Sequence, residues 1–124
     1  MADGDSPRCL QASCHCGGVQ FDLLLPPGEP EVRRCNCSLC RRKGAAMLTV
    51  QVGDLRILRG SDLLTLYQWN TGVARHYFCR QCGIYTHHQR RRDPLQIGVN
   101  VGCLEGVDPD EFETAEVRNG SLDP

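Results

Sequence analysis

Nine cysteines fall in this chain as three tight motifs and two outliers, and no other feature narrows its folding options so far. The motifs are Cys14-His15-Cys16, Cys35-Asn36-Cys37-Ser38-Leu39-Cys40 and Cys79-Arg80-Gln81-Cys82, while Cys9 and Cys103 stand apart. Either a disulfide framework or metal ligation could produce this pattern. The count is odd, and each C-x-C pair holds its thiols too close in sequence to bridge each other in relaxed disulfide geometry. The first thirteen residues are polar, with Asp3, Asp5 and Arg8, and lack the basic-then-apolar order of a secretory signal. This predicts a cytosolic chain, where disulfides do not persist, and so favours metal ligation.

A tetrahedral structural zinc takes four protein ligands, and a catalytic zinc three with one position open. Cys79 and Cys82, on a tight turn followed by Gly83, supply only two. Adding Cys14 and Cys16 completes a four-cysteine site and leaves Cys35, Cys37 and Cys40 as a set of three on one short loop. The alternative, in which two of the middle three join the late pair, strands the remainder and explains less. The expectation is two Zn²⁺ per chain, one closed and one open.

At 124 residues the length suits one domain. Residues 1–12 read as a flexible leader and 13–120 as a single zinc-binding domain. Alternating apolar positions, interrupted by Gly and Pro, predict short strands at 19–25, 32–35, 46–52, 55–58, 63–69, 75–78, 84–88 and 96–101, with 116–118 a further pairing segment. A turn at Gly53-Asp54 joins two of them, and residues 75–78 and 84–88 form a hairpin about the late C-x-x-C. One helical turn is expected over 38–43, with Ser38 as N-cap and Gly44 as its stop. The fold class is therefore mainly β with very little helix. The formal charge is −1 and no apolar run approaches the ~20 residues of a membrane span, so neither nucleic acid nor membrane is expected as a partner.

The neighbours of the motifs carry further expectations. Arg33 and Arg34 precede the middle motif, and Arg41, Arg42 and Lys43 follow it. They either form a solvated turn or offset a three-thiolate zinc and hold substrate carboxylates, Arg41 and Arg42 being the substrate-binding candidates. Arg90-Arg91-Arg92 reads as an exposed loop. His15 should project away from the metal, Cys9 should be a free thiol, and Cys103 should be buried, or else a fourth ligand of the open site. Tyr67, Trp69, Phe78 and Tyr85 read most simply as core.

Taken in order, Cys14-His15-Cys16-Gly17-Gly18, Cys35-Asn36-Cys37-Ser38-Leu39-Cys40-Arg41 and Phe78-Cys79-Arg80-Gln81-Cys82-Gly83-Ile84 resemble the glutathione-dependent formaldehyde-activating enzyme family, which includes centromere protein V. The resemblance spans about residues 13–106, taking in residues 67–72 and 98–101. It implies the β-rich fold called Mss-four-like, with the partition reached above: structural zinc on Cys14, Cys16, Cys79 and Cys82, catalytic zinc on Cys35, Cys37 and Cys40. It also implies a carbon–sulfur lyase that forms or cleaves S-hydroxymethylglutathione, with a thiol such as glutathione and an aldehyde as partners. His76, His87 and His88 are the candidate acids, none of them singled out. The competing class is a non-catalytic zinc-stabilised binding module related to centromere protein V. The near-neutral charge and acidic tail weigh against a chromatin-bound role.

Overall fold

Along residues 20–25 every second side chain is apolar and buried: Phe21, Leu23 and Leu25 face inward, while Gln20 and Leu24 are exposed. That period of two makes a strand with one buried face. The computed structural model describes residues 7–25, 27–28, 31–35, 37–68, 72–90, 93–108 and 116–118. Its strands are β1 (Arg8–Ser13), β2 (Gln20–Leu25), β3 (Val32–Cys35), β4 (Met47–Gln51), β5 (Leu55–Arg59), β6 (Leu64–Tyr67), β7 (Arg75–Cys79), β8 (Tyr85–Gln89), β9 (Gln96–Asn100) and β10 (Glu116–Arg118). One six-residue helix, α1 (Ser38–Lys43), lies between β3 and β4. The expected mainly-β fold is the one observed.

The strands form two sheets. One has the order β1-β2-β5, the other β10-β3-β4-β9-β8-β7-β6. Neighbours are antiparallel throughout, except that β10 runs parallel to β3. Phe21, Leu23 and Leu25 from the small sheet share one core with Leu48, Val50, Ile97 and Val99 from the large one. β4 and β5, expected to be joined by a turn, are separated by a short 3-10 turn (Val52–Asp54) and diverge into different sheets. No helix among the described residues is long and apolar enough to cross a membrane.

Three local expectations are corrected. The flexible leader of residues 1–12 gives way from Arg8 onward to β1, which pairs with β2 along its whole length, Arg8 to Leu25 and Ser13 to Gln20. Its apolar signal is sparse, with only Ala12 fully buried and Leu10 packed against the core. Ladder bonding to β2, not burial, holds the remainder. The second correction is at α1, whose N-cap is Cys37: its side chain accepts from Cys40 N–H, one residue earlier than the Ser38 cap predicted. Gly44 ends the helix as expected, in the left-handed region with φ 65°. Third, Tyr67, Phe78 and Tyr85 are not core but wall a surface cleft described below, while Trp69 lies outside the described residues.

His87 binds the sheets together. Its ring stacks on Tyr77 at 4.8 Å and meets Phe21 of the opposite sheet at 6.0 Å, with Thr86 Oγ1 2.9 Å from Nδ1. Burial lowers its pKa to about 4. The folded protein therefore holds His87 neutral, while the unfolded chain takes up a proton below the ordinary value near 6.5. The associated stability is intact above that value and declines as pH falls towards 4. Between pH 6.5 and 5 the loss should reach about 2 kcal/mol. Comparing wild type with His87→Phe by denaturant titration at both pH values isolates this part, because contributions from the thiols cancel. Parallel pH profiles for the two proteins would refute it.

Candidate metal centres and cleft

Cys14, Cys16, Cys79 and Cys82 converge, with all four sulfurs within 4.8 Å of one another. Cys14 and Cys16 follow β1 in the small sheet, while Cys79 ends β7 in the large one. The sulfurs of Cys14 and Cys16 are 3.6 Å apart, and those of Cys16 and Cys79 are 3.8 Å apart. A disulfide would be near 2.0 Å. A tetrahedron with Zn–S bonds of about 2.3 Å has edges of about 3.8 Å, which these two spacings match. Backbone donors already point at the sulfurs: Val19 N–H to Cys14 at 3.3 Å and Gly18 N–H to Cys16 at 3.4 Å. For Cys82 burial works towards a higher pKa, but N–H groups of Cys16 and Ile84 and the Cys14 and Cys79 thiols outweigh it, leaving the group at about 6. Gly83 closes the second turn at φ 78°, where an L side chain would be strained, and donates to Cys79 O at 2.7 Å.

Cys35, Cys37 and Cys40 form the second group, again with sulfurs within 4.8 Å of one another. β3 delivers Cys35, Cys37 caps α1, and Cys40 lies in its first turn. Cys37 N–H points at the Cys35 sulfur at 3.5 Å. Hydrogen bonding to the Cys35 thiol, then burial and the charges of Cys35 and Cys37, push the Cys40 pKa far above its ordinary value. Three sulfurs this close do not all ionise unless a cation joins them, and a set of three thiols suits zinc or another soft metal. Among the described residues no other Cys, His or carboxylate joins either group. Cys103 belongs to neither: it is buried in the core and its thiol points to Tyr85 O at 3.6 Å. His15 and Cys9 are exposed, as expected. None of the nine cysteines is held in a disulfide.

Beside the three-cysteine group opens a cleft of about 330 Å³ lined by Leu39, Lys43, Tyr67, His76, Phe78, Gly83 and Tyr85. One wall is α1, where Leu39 and Lys43 share a face four residues apart. The other comes from the β7–β8 hairpin that carries Cys79 and Cys82. A chain of polar contacts runs along it. Lys43 Nζ is 3.0 Å from His76 Nδ1 and sits 3.1 Å from the centre of the Tyr85 ring. The Tyr85 hydroxyl lies 3.4 Å from His76 Nδ1 and makes a short hydrogen bond to His88 Nδ1. Burial, then the charge of Lys43, lowers the His76 pKa to about 4, and burial drives His88 down as well. Burial raises Tyr85, so its hydroxyl stays protonated. Burial also lowers Lys43 to about 8, against the opposing pull of the Cys40, Cys37 and Cys35 thiolates. The His88 ring fits only because residue 98 is glycine: a Cβ there would stand 2.5 Å from His88 Cε1.

The match to the family model described as glutathione-dependent formaldehyde-activating enzyme runs over residues 9–118, nearly the whole chain. The chain belongs to this family. A Halomonas elongata protein with the provisional description of a glutathione-dependent formaldehyde-activating enzyme is 32% identical over 81 residues, which cover 59% of this chain. The match spans 51% of that relative's length. A Rhodobacter sphaeroides protein of known crystal structure is 50% identical, with a TM-score of 0.82 over 87% of this chain and 99% of its own.

Set against the sequence-based expectations, the seven cysteines fall into the two groups anticipated. Of the three candidate acids, His76 lines the cleft, His88 stands behind it bonded to the Tyr85 hydroxyl, and His87 turns into the core between the sheets. Arg41 and Arg42 are exposed on α1, and Arg42 donates to Ser38 O at 2.8 Å. In the expected exposed run, Arg90 is half-buried and donates to Thr49 Oγ1, while Arg91 and Arg92 lie outside the described residues. The roles of Tyr85 and Lys43 in the cleft were missed. Period-two patterning places Tyr85 on a strand but does not say which sheet face is left uncovered.

Proposed function

We propose that the protein is a zinc-dependent carbon–sulfur lyase that forms or cleaves a thiol–aldehyde adduct, S-hydroxymethylglutathione being the adduct its family points to. The observation that carries this reading is the pairing of a three-thiol group with a cleft at its side, beside a second group that is already complete with four. Cys14, Cys16, Cys79 and Cys82 would hold a structural zinc, and Cys35, Cys37 and Cys40 a catalytic one. Zinc at the three-thiol group would supply Lewis acidity and favour the thiolate form of an incoming thiol.

The chain's own residues do the rest. Leu39, Phe78 and Tyr67 give the cleft apolar walls that exclude water around the reacting carbon. The Tyr85 hydroxyl, held between His76 and His88, keeps a proton available to an adduct oxygen. Arg41 and Arg42, at the exposed side of α1, are placed to meet carboxylates of a thiol such as glutathione. Nine cysteines outside any disulfide suit the reducing cytosol, where we place the protein.

The test combines metal analysis with an exchange assay. Purified protein should contain two zincs per chain and should speed exchange between formaldehyde and S-hydroxymethylglutathione above the spontaneous rate. A two-zinc protein inert towards every thiol–aldehyde adduct tried would sink the lyase reading and favour a zinc-stabilised binding module.

A further inference from the structure

Of the fourteen lysine and arginine residues in the chain, Lys43 is the only lysine. Thirteen positions that need a cation use arginine, including its two helix neighbours. A guanidinium stays charged and is a poor nucleophile, whereas an amine can lose its proton and attack carbon. The single side-chain amine is also the cation of α1 that lines the cleft. Leu39 and Phe78 flank it with apolar surface, the Tyr85 ring lies under Nζ, and neutral His76 offers Nδ1 at 3.0 Å. A desolvated lysine in an apolar pocket is a standard means of attacking a carbonyl.

We propose that Lys43 captures the aldehyde as a covalent imine in the cleft, beside Cys35, Cys37 and Cys40. The proposal rests on the reading of this cleft as an aldehyde site. Lys43 Nζ attacks the aldehyde carbon to form a C–N bond, and the proton it sheds passes to His76 Nδ1. His76 returns that proton to the carbinolamine oxygen, which also takes the remaining proton of the nitrogen and leaves as water, giving the imine. Attack by the thiol sulfur forms the C–S bond, the nitrogen taking the thiol proton. Water then displaces the amine, regenerating Lys43 and releasing the hydroxyalkyl thioether. The sum is aldehyde plus thiol giving adduct, and each step is reversible.

The lone lysine makes the test clean. The full zinc-loaded chain is treated with formaldehyde and cyanoborohydride without thiol, and N-methylation is mapped on peptides. Arg59→Lys places an exposed reference amine on β5 of the same molecule, in the other sheet and outside the cleft lining. Lys43 should be labelled at least about tenfold faster than this reference, since desolvation leaves more of it as free amine. Equal or slower labelling overturns the proposal. Lys43→Arg keeps the charge and Lys43→Met keeps much of the stem; both should retain two zincs and lose about 100-fold or more in adduct exchange, the scale of a missing catalytic group. Exchange at the wild-type rate in Lys43→Arg would show that charge alone suffices and would overturn the imine. Selective labelling in a wild-type protein that exchanges no adduct would support capture by Lys43 while refuting the lyase reading, which keeps the two failures apart.

Discussion

Stripping the metal from Cys14, Cys16, Cys79 and Cys82 is expected to unfold the protein, with loss of its near-ultraviolet circular dichroism and its cooperative thermal transition. The reason lies in what this group joins. Cys14 and Cys16 follow β1 of the small sheet and Cys79 ends β7 of the large one, and 63 positions separate Cys16 from Cys79. Closing a loop of that length in the unfolded chain costs about 4 kcal/mol on a chain-entropy model. A structural zinc contributes roughly 10–16 kcal/mol of apparent binding energy, against a net stability of about 5–15 kcal/mol for ordinary domains. Cys79 is fully buried, so Cys79→Ser would both remove a ligand and place a hydroxyl among the remaining thiols. Chelation of wild type and the Cys79→Ser substitution should give the same unfolded spectrum. A chelated protein that keeps its thermal transition would show that the core alone suffices and would refute the structural role.

Much of this was legible in the sequence because ligand spacing and strand alternation are local signals. The two cysteine groups follow from counting to four and three, and the β2 face follows from Phe21, Leu23 and Leu25 at every second position. What escaped depends on long-range placement. β1 has only Leu10 and Ala12 to mark it, and becomes a strand through its partner β2. Tyr67, Phe78 and Tyr85 look like core on strands, yet the core lies between two sheets and these rings wall a cleft beyond it. His87 and His88 are adjacent and chemically identical; strand alternation sends one to the core and the other to the Tyr85 hydroxyl behind the cleft, but which goes where depends on the register of β8 against β9. Lys43 did leave a signal, its uniqueness among the cations, and that meaning emerged only once the helix placed it at the cleft.

The Cys37→Ser substitution should empty the three-cysteine group of metal while leaving the fold standing, and it separates two jobs done by one side chain. Cys37 is both a metal-ligand candidate and the N-cap of α1, accepting from Cys40 N–H at 3.3 Å. Serine is among the preferred N-cap residues, so the cap survives the change. A neutral hydroxyl is a poor zinc ligand beside two thiolates, so the metal does not. Cys37→Ala removes both, and should cost about 1 kcal/mol more than Cys37→Ser in stability measured without the second metal. The expected result for Cys37→Ser is one zinc per chain in place of two, a retained thermal transition, and exchange of S-hydroxymethylglutathione reduced by at least about 10³-fold, the several kcal/mol a Lewis acid supplies. The triple substitution of Cys35, Cys37 and Cys40 by serine should match it in metal content and activity. Unfolding of the triple variant would mean that this group, too, holds the fold together. Unchanged turnover in Cys37→Ser would place the chemistry elsewhere in the molecule. Retention of one zinc with the fold intact and exchange lost would assign the two groups their separate roles, structural for the four-cysteine group and catalytic for the three-cysteine group.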